Sequence, residues 1–363
     1  MPEGGLAALR RARVMELMAR ERRDVLVVYG NAVRPELLRY VTDFAVLEGH
    51  AVAVLDDDGL TLFVETPYEA QRAANETRGV KVRFVPDVIA AARAAAVGRN
   101  IGLGATVYLP TGLARAFPDA ADLTEAMLLM AVHKHPLEVE AVAEAAAVAD
   151  RGYAVFRNAV RPGRREYEVI AEVEAFLRAA GCADHFVIMA AGNTEVRGMR
   201  PPGDRRIRAG DLVTTEITPS VRGYYAQLCR TLVVGDPSPE QAAAFAVYRD
   251  ATEAGLALVR PGATAAEVAR AENDVFRARG LGEYTSSTYT RVRGHGLGLN
   301  VDSVPSILES EDFVLEAGMT LIVHPNTYHP ETGYFVLGDA VAVTDSGHRR
   351  LAATPLELFS VPA

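Results

Sequence analysis

Four side chains stand out for the chemistry they can do together: Glu216, Gln227, His295 and His324. A carboxyl and two imidazoles can give and take protons near neutrality, because imidazole titrates there and a buried carboxyl is pushed toward it. Glu216 then reads as general base or acid, with His295 and His324 as its proton-transfer partners. Asp302 belongs to the same set, closing the stretch TRVRGHGLGLNVD at 290–302. Glycines on both sides of His295 let the backbone come close and present the ring. Arg291 and Arg293 lie in this stretch, and Arg200 lies upstream. Guanidinium groups bind carboxylates in bidentate fashion, so these arginines, with Tyr225 as a pocket wall, predict a small carboxylate-bearing substrate. The same groups can serve hydrolysis of a C–N bond, elimination or isomerisation.

An internal repeat gathers these residues. VRPGRREYEVIAEVEAFLRAAG starts at Val160 and VRPGATAAEVARAENDVFRARG at Val259. In both, Pro-Gly ends one helix and opens the next. A hairpin follows each. Ala209-Gly210 aligns with Ala317-Gly318, and seven residues further on Glu216 aligns with His324. GYYAQLCRTLVV from Gly223 then matches GYFVLGDAVAV from Gly333. Residues 137–350 therefore read as two helix-then-hairpin units about a pseudo-two-fold axis, with Glu216 and His324 meeting near it.

Upstream of the repeat the pattern changes. An amphipathic charged helix spans the N-terminus to about Arg23, and DVLVVY at 24–29 is a buried strand. Two apolar runs around Asp57-Asp58-Gly59 make a hairpin over 51–64. Helices near 67–77 and 86–97 alternate with strands near 80–85 and 100–103, the pattern of an α/β domain. The change of domain falls at His133-Lys134-His135-Pro136, which gives domains 1–132 and 133–363. The fold class is α+β.

The 363 residues carry 38 Lys and Arg against 47 Asp and Glu, a net charge of -9 with no basic run, which excludes a nucleic-acid binder working by phosphate neutralisation. Two cysteines cannot form a disulfide framework. No apolar run is long enough to span a bilayer, and no signal-peptide core is present. A cytoplasmic location is expected, with no membrane partner.

The segments AGDLV, GYYAQLCRTL, GHGLG, EAGMTLIVHP and GYFVLGDAVAVTDSG, in this order, resemble the pita-bread family of creatinase, aminopeptidase P, prolidase and methionine aminopeptidase. The N-terminal domain is similar to the one that creatinase and prolidase carry. The resemblance implies a creatinase-like α/β domain followed by a pseudo-two-fold pita-bread domain. It also implies a homodimer in which the N-terminal domain of one subunit caps the site of the other, with Arg39 or Tyr40 contributing to that cap. The metallopeptidases of the family hold two metal ions with Asp, Asp, His, Glu and Glu. Those positions fall on Glu216, Gln227, His295, His324 and Gly338. A histidine that assists peptide hydrolysis falls on Met199, and another on Asp302.

A dinuclear cluster needs shared carboxylates, so a conventional Xaa-Pro peptidase is the least expected activity. Two forms of the site stay open. Glu216, His295 and His324 can hold one divalent ion, zinc or iron, in a two-histidine, one-carboxylate set. Alternatively no metal is bound, and His324 hydrogen-bonds Glu216 in a polar core. The second class of function is a non-catalytic ligand-binding relative. Burying several ionisable groups together is costly unless they are used, which favours an enzyme.

Overall fold

A computed structural model describes residues 5–363. The first four residues of the expected N-terminal helix lie outside the described range. The chain divides into two compact units, Met1–Ala131 and Val132–Ala363.

The first unit runs α1 Gly5–Arg20, β1 Val25–Asn31, α2 Glu36–Thr42, β2 His50–Asp56, β3 Gly59–Val64, α3 Pro67–Glu76, β4 Val80–Phe84, α4 Val88–Ala96, β5 Ile101–Gly104, α5 Thr111–Ala116, β6 Ala121–Asp122 and α6 Thr124–Val132. Its six strands lie in the order β4-β3-β2-β1-β5-β6. The two-residue turn at Asp57-Asp58 sets the β2–β3 register, Asp56 facing Gly59. Helix α3 starts where Thr66 accepts a hydrogen bond from the Glu69 amide and Pro67 fills the first turn.

The second unit carries α7 Pro136–Ala159, α8 Glu166–Ala179, β7 His185–Gly192, β8 Leu212–Val221, β9 Tyr224–Tyr225, β10 Leu228–Val234, α9 Pro239–Leu258 and α10 Ala265–Ala278. There follow β11 Gly294–Gly296, β12 Ser303–Ser306, β13 Thr320–Val323, β14 Thr327–His329, β15 Gly333–Phe335, β16 Gly338–Val343, β17 His348–Arg350 and β18 Phe359–Val361. The backbone of its sheet is ordered β12-β11-β13-β16-β10-β8-β7. The expected repeat is plain in that order. Hairpin β8–β10 belongs to the first copy and β13–β16 to the second, and the copies join where β10 pairs antiparallel with β16. The join is short: Leu228 faces Asp339 and Cys229 faces Gly338.

Each copy packs its own helices on its own strands. Phe156, Val169, Val173 and Leu177 of α7 and α8 meet Met189, Val213 and Ile217. Tyr248, Val268 and Phe276 of α9 and α10 meet Leu321, Phe335 and Val341. These aliphatic and aromatic side chains leave water almost completely, at about 1.5–3 kcal/mol each. The seam between the copies is closed by polar bonds. Arg230, fully buried, donates to the Gly338 carbonyl at 2.7 Å, to Asp339 Oδ1 at 2.6 Å and to the Pro355 carbonyl at 3.1 Å.

Candidate active site

Neighbouring strands put the site in one row. Glu216 of β8 faces Cys229 of β10, Cys229 faces Gly338 of β16, and Val323 at the end of β13 faces Asp339. His324 therefore follows the last paired residue of β13 and lies against Gly338. A Cβ placed on Gly338 would fall 2.5 Å from the His324 Cβ and 2.3 Å from the Val323 carbonyl oxygen. His295 reaches the row from β11, where its ring lies edge-on to His324 with centroids 5.4 Å apart. The glycines beside His295 are required by this approach. A Cβ on Gly294 would stand 2.2 Å from the Ile322 carbonyl, and one on Gly296 would stand 2.1 Å from the Val304 carbonyl. The close backbone approach read from the glycine-rich stretch is present.

Glu216 accepts a hydrogen bond at each carboxyl oxygen. Gln227 Nε2 donates to Oε2 at 3.0 Å, and Asn326 Nδ2 donates to Oε1 at 2.9 Å. The Asn326 amide has a fixed orientation, because its Oδ1 accepts from the Leu337 backbone N–H at 3.0 Å. Gln227 Oε1 is buried without a partner among the described residues. Burial raises the Glu216 carboxyl from 4.5 to about 7, against the downward pull of Arg291 and of the two amide bonds. The carboxyl is thus divided between its two protonation states at neutral pH.

The histidines are held neutral by burial. His295 is lowered from its ordinary value, and Arg291 adds to the effect while Asp302 and the Gly296 carbonyl oppose it. Its Nδ1 lies 3.0 Å from the Gly296 carbonyl oxygen. A carbonyl only accepts, so Nδ1 carries the proton and Nε2 presents a lone pair. His324 is lowered further, by burial first and then by His295 and the two arginines. Its Nδ1 has no partner among the described residues. The expected bond from His324 to Glu216 is not made. Asn326, two residues further along the chain, makes it instead. Asn326 reaches Glu216 from a tight turn between β13 and β14, where its N–H bonds the His324 carbonyl at 2.7 Å.

Other expected residues have different partners. Asp302 forms an ion pair with Arg291, and its Oδ1 lies 3.7 Å from His295 Nδ1. Arg200 donates to Oε1 of Glu166 at 3.0 Å. Glu166 is fully buried and also accepts from the Ala191 and Gly203 amides. The Arg200 guanidinium is therefore a strut of the fold rather than an open carboxylate receptor. Arg293 is buried, with Nε donating to Asn273 Oδ1 at 2.6 Å and its guanidinium 5.2 Å from the Phe276 ring. It faces α10, behind the row. Tyr225 is buried and its hydroxyl donates to Asp184. Arg39 is half-buried on α2 of the first unit.

Among the described residues, no three His, Cys, Asp or Glu side chains are grouped so as to hold a metal ion. Glu216, His295 and His324 thus do not stand as a preformed three-ligand set. Both Glu216 oxygens instead accept from amide donors. At the position expected to assist peptide hydrolysis, Met199 takes a hydrogen bond from Thr214 Oγ1 to its sulfur at 3.2 Å.

Two helix-and-hairpin copies joined strand to strand, with a polar row across the seam, make this a pita-bread protein. The chain belongs to metallopeptidase family M24, whose model matches residues 140–345. The family is one of hydrolases, and the relatives carry peptidase names. The Xaa-Pro dipeptidase of Pyrococcus furiosus is 26% identical over 320 residues, which are 86% of this chain and 89% of that protein. An uncharacterized peptidase of Bacillus subtilis, YqhT, is 33% identical over 227 residues, spanning 61% of this chain and 62% of that protein. Among solved structures, the dipeptidase PepE of Mycobacterium ulcerans superposes with a TM-score of 0.82 at 28% identity, covering 99% of this chain and 98% of that one. The Pyrococcus horikoshii prolidase superposes over 96% of this chain and 99% of that one with a TM-score of 0.85 at 24% identity, a likeness of fold. No described helix is long and apolar enough to cross a membrane.

Proposed function

We propose that this chain is a hydrolase that cleaves a C–N bond in a small carboxylate-bearing molecule without the metal pair of its family. The observation that carries this reading is the double amide clamp on Glu216. Gln227 and Asn326 each point an N–H at one carboxyl oxygen, so both oxygens already face hydrogen-bond donors. A second carboxylate at position 338 has no room, since even a methyl there would collide with Val323 and His324. The donor set of one carboxyl, two imidazoles and two amides lacks the negative charge that a pair of divalent ions requires. These residues do not fit a dinuclear centre.

The chemistry follows from the protonation states. Glu216, as carboxylate, removes a proton from a water molecule while the oxygen adds to the substrate carbon. His295 Nε2 accepts a hydrogen bond from that water and orients it. Glu216 then returns the proton to the leaving nitrogen as the C–N bond breaks. A carboxyl with its pKa at about 7 suits both halves of the cycle at neutral pH. Neutral His324 beside His295 keeps further positive charge away from the site.

The names of the relatives favour a second reading, hydrolysis of an Xaa-Pro dipeptide. One experiment separates the two. The protein is purified without chelator or histidine tag and its metal content is measured, then it is assayed on an Xaa-Pro dipeptide with and without manganese. Sub-stoichiometric metal and no manganese-dependent turnover are expected. Robust manganese-dependent cleavage would overturn the proposal. In the metal-free reading, His295→Ala abolishes turnover of the true substrate, and unchanged turnover would place the chemistry elsewhere.

A further inference from the structure

We propose that Arg293 is a positioning residue of this site: anchored by Asn273 on α10, it holds the turn at 324–326 so that the Asn326 amide meets Glu216. The inference rests on the proposed reading of Glu216 as the reacting acid and base, and it names what keeps the clamp on that group in place.

Arg293 acts from behind the row. Its carbonyl accepts from the His324 backbone N–H at 2.9 Å, and its Nη1 donates to the Asn326 carbonyl at 3.4 Å. One residue therefore holds both ends of the turn, by backbone at His324 and by side chain at Asn326. Between those ends the turn closes on itself, with the Asn326 N–H donating to the His324 carbonyl at 2.7 Å. The Asn326 side chain then donates from Nδ2 to Glu216 Oε1 at 2.9 Å. It cannot turn over, because its Oδ1 is taken by the Leu337 N–H. Where this donor falls is set by where the turn is held.

Arg293 is itself held on two sides. Its N–H donates to the Ile307 carbonyl at 2.9 Å, and the Ile307 N–H returns to the Gly294 carbonyl at 2.8 Å. Its Nε donates to Asn273 Oδ1 at 2.6 Å, beside the Phe276 ring. Asn273 presents that oxygen because its Nδ2 donates to Glu309, which also takes Arg277 of α10. A run of hydrogen bonds thus leads from Glu309 through Asn273, Arg293 and Asn326 to Glu216, each orienting the next donor. A carboxylate does not fill this role. Glu272 of α10 lies near enough to act on the Arg293 charge, yet its two oxygens and Arg293 Nη2 are buried without hydrogen-bond partners among the described residues. The guanidinium is therefore aimed by Nε and Nη1 used together, which the single nitrogen of lysine cannot reproduce. A buried cation without a hydrogen-bonded carboxylate is a poor source of stability, and the bonds this one makes lead to the site.

The test reads the Asn326 side-chain amide by NMR, in the full chain isotopically labelled at asparagine. Its resonance pair is the one that disappears in Asn326→Leu, and Glu216→Gln shifts it. In Arg293→Met the pair moves toward the position of a free amide, and its exchange with water quickens about tenfold or more. Arg293→Lys, which keeps the charge, changes it in the same direction by less. Asn273→Ala, which leaves Arg293 in place, does the same. A merely structural role would lower the urea midpoint and leave this native-state signature at its parental position. An Asn326 pair unmoved in Arg293→Met, or in Arg293→Lys if the first variant does not fold, would overturn the proposal. A pair unmoved by Glu216→Gln would instead remove the clamp on Glu216 itself. Failure of the acid-base reading is told apart from both, because it has its own test in the pH dependence of stability.

Discussion

Replacing Glu216 with glutamine should stabilise this protein at alkaline pH, although it removes the proposed catalytic group. The folded state raises the Glu216 carboxyl from 4.5 to about 7, so it binds the proton more tightly than the unfolded chain does. Stability from this group is complete below about pH 4.5 and is lost as pH rises to about 7. A shift of roughly 2.5 units corresponds to about 3 kcal/mol, trimmed to about 2 by the partial solvent access of the carboxyl. Glutamine is neutral throughout. Its oxygen accepts from Asn326, whose orientation Leu337 fixes, and its NH2 faces Gln227. By turning over, Gln227 offers the Oε1 that has no partner in the parent protein. His295 and His324 titrate with the opposite sign, their stabilising neutral forms being lost as pH falls below about 6.5. They are common to both proteins and largely cancel in the difference. Urea unfolding from about pH 3.5 to pH 9 should therefore give curves that coincide at the acid end and separate by about 2 kcal/mol above pH 8, with Glu216→Gln the more stable. A difference independent of pH, or one that favours the parent at alkaline pH, would refute the reasoning.

Two further substitutions probe the same row. Gly338→Ala puts a methyl 2.3 Å from the Val323 carbonyl and 2.5 Å from the His324 Cβ; a loss of about 1–3 kcal/mol is expected from overpacking, read as a lowered urea midpoint with unchanged m-value. Asn326→Leu removes the donor to Glu216 Oε1 and leaves the Leu337 N–H unpaired. Destabilisation of about 1–3 kcal/mol should result, and the alkaline loss of stability, starting at the same pH, should run on to higher pH, because the carboxylate has lost a bond that favours it.

The halves of the second unit could be read from the sequence because their signals are local. Val-Arg-Pro-Gly occurs twice, and Glu168 and Glu267 each return a side-chain bond to the start of their helix. The same repeat brings Glu216 and His324 to equivalent positions, and the glycines around His295 announce a close approach. The partners of the charged groups could not be read this way. Arg200 meets Glu166 from 34 residues away. Arg293 turns toward α10 because Asn273 and Phe276 happen to face it. Asn326 carries no such pattern, since it sits in a turn between strands, and only geometry shows that its amide reaches Glu216.

The seam between β10 and β16 shapes how such a chain can diverge. The two copies are joined along their strands by two residue pairs and locked by Arg230, which reaches Gly338, Asp339 and Pro355. Each copy otherwise carries its own helices and core. Positions 216 and 227 lie on one copy and 324 and 338 on the other, and Asn326 reaches across from the second copy to Glu216 of the first. Arg230 is more constrained, because it is fully buried and losing Asp339 leaves its charge unbalanced, whereas Asp339 also pairs with Arg350. A duplicated scaffold of this kind can exchange its chemistry while its hinge stays constant.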